Sequence, residues 1–313
     1  MRISLHNNKK RILCILLIIL IFFSVFLFSH KEKEYKQGPY CDHFLGKWDE
    51  KNRIFAHALG GINGKTYTNS IDALKVNYSQ GKRYFETDFA LSSDGQVILT
   101  HDWEETTKNL IDWPQGYVPT YEEFKANKIY YKYEPSGALD LLKFMDEHSD
   151  MYLMSDIKYN DPGEITAIMQ NVVELAKANG YEGVLDRFIV QFYFEQNYYD
   201  LKNIYPFKNW VYALYAEKNK DFEGVTNFCL QNNISAVLMS YKWVKDPTIL
   251  NTFQENGIKT YVYTLNNLTN IYEMLSYGVY GFISDYAVNT DLFLRERYMY
   301  MEKFHFNVDL SDE

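Results

Sequence analysis

Nine short strand-like apolar runs alternate with helix-like segments over residues 53–295, and one uncharged apolar run at residues 12–29 precedes them. The pattern predicts an α/β protein, a (β/α)8 TIM barrel preceded by a single N-terminal transmembrane helix. Composition agrees: 47% apolar and 23% charged residues are ordinary globular usage, and 16 Gly with 7 Pro exclude a low-complexity or collagen-like chain. A formal net charge of −9 argues against a nucleic-acid partner, because such binding draws its affinity from cationic side chains.

Residues 12–29 carry no charge, and as a helix they reach roughly 27 Å, about one hydrocarbon core. Lys9, Lys10 and Arg11 precede the run, whereas Lys31, Glu32, Lys33 and Glu34 after it mix signs. The excess of positive charge therefore assigns residues 1–11 to the cytoplasm and the rest of the chain to the outside. A cleaved signal peptide is the alternative. The run exceeds the usual signal core, however, and neither a small-residue cleavage site nor a lipobox cysteine follows it. The expectation is an uncleaved anchor at 12–29, a cell-membrane location and a polar tether at 30–52.

The strand-like runs are residues 54–58, 84–90, 97–101, 151–157, 188–192, 210–215, 235–239, 259–265 and 280–284. Helix-like segments fall at 70–80, 136–148, 162–179, 197–204, 222–232, 246–256 and 268–277, and Gly180, Gly257 and Gly278 supply left-handed C-termini for three of them. Nine strands are one too many for the barrel. Ser92-Ser93-Asp94-Gly95, between the second and third runs, is a hairpin signal that accounts for the surplus. Residues 104–135, rich in Tyr, Lys and Glu, read as an insertion capping the barrel mouth, and 296–313 as a C-terminal tail. Cys14, Cys41 and Cys229 have no zinc or redox spacing. In an extracellular body Cys41 and Cys229 either pair or are two unrelated thiols. Asn-x-Ser/Thr matches at Asn77, Asn233 and Asn267 matter only in a eukaryotic secretory pathway.

Polar residues gather at the C-terminal ends of the predicted strands, where barrel enzymes carry their chemistry. His57 closes the first strand ahead of Gly60-Gly61, and His101-Asp102 ends the third. Glu86 and Asp88, two residues apart, point to one face of a strand, and Asp156 and Lys158 repeat that spacing. A solvated strand face is the alternative for the carboxylate pair. If that face looks into the mouth, the carboxylates call for a hard divalent cation, Mg²⁺ or Ca²⁺. Two imidazoles, three carboxylates and a lysine are what phosphodiester cleavage needs: a base, an acid and positive charge on the phosphoryl oxygens.

The order of these pieces resembles the glycerophosphodiester phosphodiesterase family. The resemblance is carried by Ala56-His57-Ala58-Leu59-Gly60-Gly61, Thr68-Asn69-Ser70, Glu86-Thr87-Asp88, Ser92-Ser93-Asp94-Gly95, His101-Asp102 and Asp156-Ile157-Lys158. Tyr261-Val262-Tyr263-Thr264-Leu265-Asn266 and Gly278-Val279-Tyr280-Gly281-Phe282-Ile283-Ser284-Asp285 complete it. It implies that His57 and His101 are the acid/base pair and that Glu86, Asp88 and Asp156 hold one divalent cation. It further implies that Lys158 contacts phosphate and Tyr263 forms an aromatic wall for the substrate. Three departures stand out: Ala58 where the family has Arg, Thr68 for Glu, and Asp156 for Glu. Sphingomyelinase D-like enzymes share the barrel plan and also lack that Arg.

The function expected is a membrane-anchored, extracytoplasmic, metal-dependent phosphodiesterase that hydrolyses glycerophosphodiester-type substrates by His57/His101 acid–base catalysis, its partner a small phosphodiester, a lipid headgroup or a cell-envelope polymer. The alternatives are a catalytically degenerate barrel that binds phosphorylated glycans or headgroups, and a phospholipase D-like lyase releasing a cyclic phosphate.

Overall fold

The computed structural model describes residues 47–49, 52–159, 161–216, 221–289 and 292. The anchor expected at 12–29, most of the tether, the 296–313 tail, Cys14 and Cys41 lie outside them. No helix among the described residues is long and apolar enough to cross a membrane.

The chain opens with β1 (Ile54–Ala56) and α1 (Ile71–Ser79), followed by the hairpin β2 (Tyr84–Leu91) and β3 (Val97–Leu99). Next come α2 (Glu105–Ile111), α3 (Tyr121–Ala126), α4 (Ala138–Glu147), β4 (Tyr152–Asp156) and α5 (Pro162–Ala178). Then follow β5 (Phe188–Phe192), α6 (Glu195–Ile204), β6 (Asn209–Ala213), α7 (Phe222–Asn232) and β7 (Ala236–Ser240). The last elements are α8 (Asn251–Glu255), β8 (Lys259–Tyr263), α9 (Leu268–Tyr277) and β9 (Gly281–Ser284).

Eight of these strands are parallel and form a closed ring. β1 pairs with β9 through Ile54↔Phe282 and with β2 through Ala56↔Phe85, which leaves no free edge. The ninth, β3, lies antiparallel on β2 with Phe89 opposite Leu99, so the surplus strand is the hairpin arm. Gly95 closes the turn at φ +79°, and its amide donates to the Ser92 carbonyl at 3.0 Å.

Helix ends follow local chemistry. Asp161, Asp221 and Asn267 cap α5, α7 and α9 with side-chain oxygens, and Gly278 ends α9 in the left-handed region. The helix expected at 246–256 divides instead into a 3-10 turn at Pro247–Leu250 and the short α8. The Asp246 carboxylate accepts from both the amide and the hydroxyl of Thr248, which tightens the first turn.

The barrel floor is aromatic. Trp48, in a 3-10 turn at the end of the expected tether, packs on Phe55 and Tyr261 with ring centroids 5.6 and 5.7 Å away, and the neighbouring Asp49 faces Lys259 at 3.3 Å. A second apolar cluster lies apart from the main core. Leu110, Ile111, Phe124, Ile129 and Tyr133 of the 104–135 insertion pack on Ala90 and Ile98 of the hairpin, and Tyr67 leans on the same cluster. Cys229 is buried with a free thiol. Asn77 is buried too, its amide donating to the Gly61 and Ala73 carbonyls.

Candidate active site

His57 follows β1 directly, and the chain then turns through Ala58, Leu59 and Gly60 at φ +47°, +67° and +94°. This left-handed run ends the strand two residues earlier than its apolar pattern suggests. It aims the Ala58 amide at Glu86 Oε2, 2.9 Å away. Gly60 is required here, since a Cβ would lie 2.4 Å from the Asn77 side chain.

The His57 ring is buried, and its Nδ1 lies 2.8 Å from Asp285 Oδ1. A carboxylate there fixes the proton on Nδ1 and leaves Nε2 for chemistry. Asp285 is itself held. Asn266 donates to its Oδ2 at 2.5 Å and accepts from its amide at 2.8 Å, while the Gly61 amide and Lys82 reach its carbonyl. Burial works to lower the pKa of His57. The Asp285 hydrogen bond and the charges of Glu86, Asp285 and Asp88 outweigh it and raise the pKa above 6.5.

Glu86 and Asp88 lie on β2, and the β2–β4 register sets Asp88 directly beside Asp156. Oxygens of the three carboxylates lie within 4.8 Å of one another, all buried. At an effective dielectric of 20, two unit charges that close repel by roughly 3 kcal/mol, so the trio cannot all ionise without a compensating cation. Accordingly, burial and the charge of Asp88 push Glu86 up to about 8. Asp88 Oδ2 accepts from Asn69 at 2.9 Å, and Asn69 accepts in turn from the Thr87 hydroxyl and the Asp88 amide. Asp88 Oδ1 is buried with no hydrogen-bond partner.

On β4, Asp156 is bonded by the Lys158 ammonium and by the Tyr193 hydroxyl. Tyr193 accepts from the Ile157 amide at 3.0 Å and from Gln191 at 2.6 Å, so its own proton is directed to Asp156. Burial opposes the charge on Asp156, but the Lys158 ammonium, the Tyr193 hydroxyl and His101 together outweigh it, and the Asp156 pKa falls. Burial likewise opposes the charge on Lys158. Asp156, Asp88 and Glu86 more than offset it, and the lysine stays protonated. Its Nζ is 3.6 Å from Asp88 Oδ1, so the ammonium supplies positive charge where the carboxylates converge. A clustered set of hard oxygen ligands with one buried, unpartnered oxygen fits a divalent cation.

His101 is a quarter exposed, and its Nδ1 is 2.5 Å from Asp102 Oδ2, an arrangement that again leaves Nε2 available. The two imidazoles are bridged by Tyr67, whose ring meets both edge-on at 4.5 and 5.5 Å. Tyr263 ends β8 within the electrostatic reach of Lys158 and Asp156. All seven residues singled out in the sequence therefore converge at one end of the barrel. Asp285, Asn69, Tyr193 and Tyr67 join them. Asp285 and Asn69 belong to the motifs of the resemblance, Asp285 at a strand end like His57, but nothing local in the sequence marks Tyr193 or Tyr67.

The sequence matches the Glycerophosphoryl diester phosphodiesterase family over residues 61–289. The chain belongs to the glycerophosphoryl diester phosphodiesterase family. It is thus a phosphoric diester hydrolase by family. No curated protein matches it significantly.

Solved structures of the family share the fold. A glycerophosphoryl diester phosphodiesterase from Silicibacter pomeroyi superposes with TM-score 0.63 at 15% identity, covering 79% of this chain and 94% of that one. One from Parabacteroides distasonis gives 0.62 at 17%, covering 79% and 98%. A phosphodiesterase from Oleispira antarctica, in complex with the product sn-glycerol-3-phosphate, gives 0.60 at 17%, covering 75% and 93%. Within this family the departures acquire a physical setting. Ala58 is fully buried and brings no side-chain donor, Thr68 bonds Ser70, and the shorter Asp156 is met by the Tyr193 hydroxyl.

Proposed function

We propose that the chain is a membrane-anchored, extracytoplasmic, metal-dependent phosphodiesterase that hydrolyses glycerophosphodiester-type substrates by His57/His101 acid–base catalysis. One observation carries the reading: two imidazoles, each with Nδ1 turned to a carboxylate, flank a buried trio of carboxylates and a lysine. The substrate class follows the Oleispira antarctica relative and its glycerol phosphate product. The uncharged run at 12–29 and the basic residues before it support the anchor and its orientation.

In this mechanism one Nε2 takes the proton of the attacking hydroxyl or water, and the other returns a proton to the departing alkoxide. Glu86, Asp88 and Asp156 would hold a divalent cation; Mg²⁺ or Ca²⁺ bound there would offset charge on the phosphoryl oxygens. Lys158 contacts the phosphate with its ammonium. Tyr263 walls the alcohol. Asp285 and Asp102 keep both imidazoles in the reactive tautomer.

The rate of diester hydrolysis against pH tests this. One imidazole must be neutral and the other protonated, so kcat/KM is bell-shaped across the histidine range. Asp285 stabilises the charged form of His57. Asp285→Asn removes that support, the His57 pKa falls, and the limb it governs moves to lower pH. A flat profile between pH 5 and 9 with chemistry rate-limiting, or an unmoved profile in Asp285→Asn, contradicts the assignment.

A further inference from the structure

If His57 and His101 exchange protons with the attacking and departing oxygens, the phosphorus lies between them, and any group bridging the imidazoles adjoins the phosphoryl oxygens. Tyr67 is that group, edge-on to both rings at 4.5 and 5.5 Å. Its backbone sits at φ +60°, a conformation a bulky aromatic residue adopts only at a cost and one that concentrates at functional sites. The strain is held on both sides. Asn69, two residues on, is pinned to Asp88 and Thr87, and the Tyr67 ring rests on the second apolar cluster. Its hydroxyl has no hydrogen-bond partner among the described residues. Burial and the charges of Asp285, Asp88 and Glu86 outweigh Lys158 and hold the phenol protonated, a neutral donor. Lys158, the cation already at the site, lies beside Asp156 and Asp88, and Ala58 beside His57 offers no side-chain donor.

We propose that Tyr67 donates its hydroxyl hydrogen to a non-bridging oxygen of the phosphodiester, standing between the two imidazoles as a substrate-contacting donor. The proposal rests on the phosphodiesterase reading above.

The test is Tyr67→Phe in the full-length chain, which removes one oxygen and keeps the ring. Diester hydrolysis in the presence of Mg²⁺ is expected to lose about ten- to a hundred-fold in kcat/KM, with the shape of the pH profile retained because Tyr67 transfers no proton. Inorganic phosphate, titrated by calorimetry, is expected to bind about ten-fold more weakly, while the melting temperature without phosphate stays that of the native chain. Turnover and phosphate affinity within two-fold of native would overturn the proposal and leave Tyr67 a packing residue. If the native chain turns over no diester, the function proposed above has failed. The phosphate titration then still decides whether Tyr67 contacts a phosphoryl group.

Discussion

Asp88→Asn lowers the affinity for Mg²⁺ or Ca²⁺ by more than about a hundred-fold, the scale above which loss of a direct ligand exceeds loss of a supporting residue. Asp88 offers the one carboxylate oxygen of the trio that is buried without a hydrogen bond, 3.6 Å from the Lys158 ammonium. Asparagine keeps the shape and an oxygen to accept from Asn69, so the bond that ties β2 to the loop before α1 survives. The cation-free protein should melt no lower than native, because the Asp88 charge that crowds Glu86 has gone. Those two readings separate a ligand from a structural carboxylate. Calorimetric titration of the full-length chain measures the first and a cation-free thermal melt the second. An unchanged cation affinity would remove Asp88 from the ligand set. Glu86→Gln is expected to act in the same direction, since burial and its neighbours already push that carboxyl up to about 8.

His57→Ala reduces kcat on a diester by about 10²- to 10⁴-fold, the range typical of losing a positioned general acid or base. The mutation leaves Asp285 bonded to Asn266 and to the Gly61 amide, and leaves the carboxylate trio untouched. Cation affinity and KM should therefore stay near native while kcat falls. A purely structural His57–Asp285 pair would behave in the opposite way, with a lower melting temperature and turnover per folded molecule unchanged. Retention of more than a tenth of native kcat would place the proton transfer on another group. His148→Ala is a suitable control, because that imidazole stacks on Phe144 away from the carboxylates.

Much of the fold was legible because local rules set it. β5, α7 and α9 fall at the residues the sequence pattern predicts, α9 ending at Gly278, and Asp94-Gly95 marked the hairpin that makes nine strands into eight. The two-residue spacings Glu86/Asp88 and Asp156/Lys158 put carboxylates and ammonium on one face because a strand alternates. What pattern could not supply was pairing across the chain. His57 meets Asp285 over 228 positions, and Asp156 meets Tyr193 over 37, distances closed only when the strand order brings β9 beside β1 and β5 beside β4. Tyr67 was invisible for a different reason. A tyrosine in a polar loop carries no periodic signal, and its left-handed backbone favours residues other than tyrosine. The same conformation truncated β1, where apolar character runs on through Ala58 and Leu59 although the strand stops at Ala56.

The most direct measurement is phosphorus NMR of the full-length chain in detergent with a glycerophosphodiester, with and without Mg²⁺ or Ca²⁺, beside His57→Ala. The proposed mechanism predicts a phosphomonoester signal that grows only when the cation is present and is nearly absent in the variant. No turnover of any diester by the folded native chain with either cation, or turnover indifferent to the cation, would contradict it.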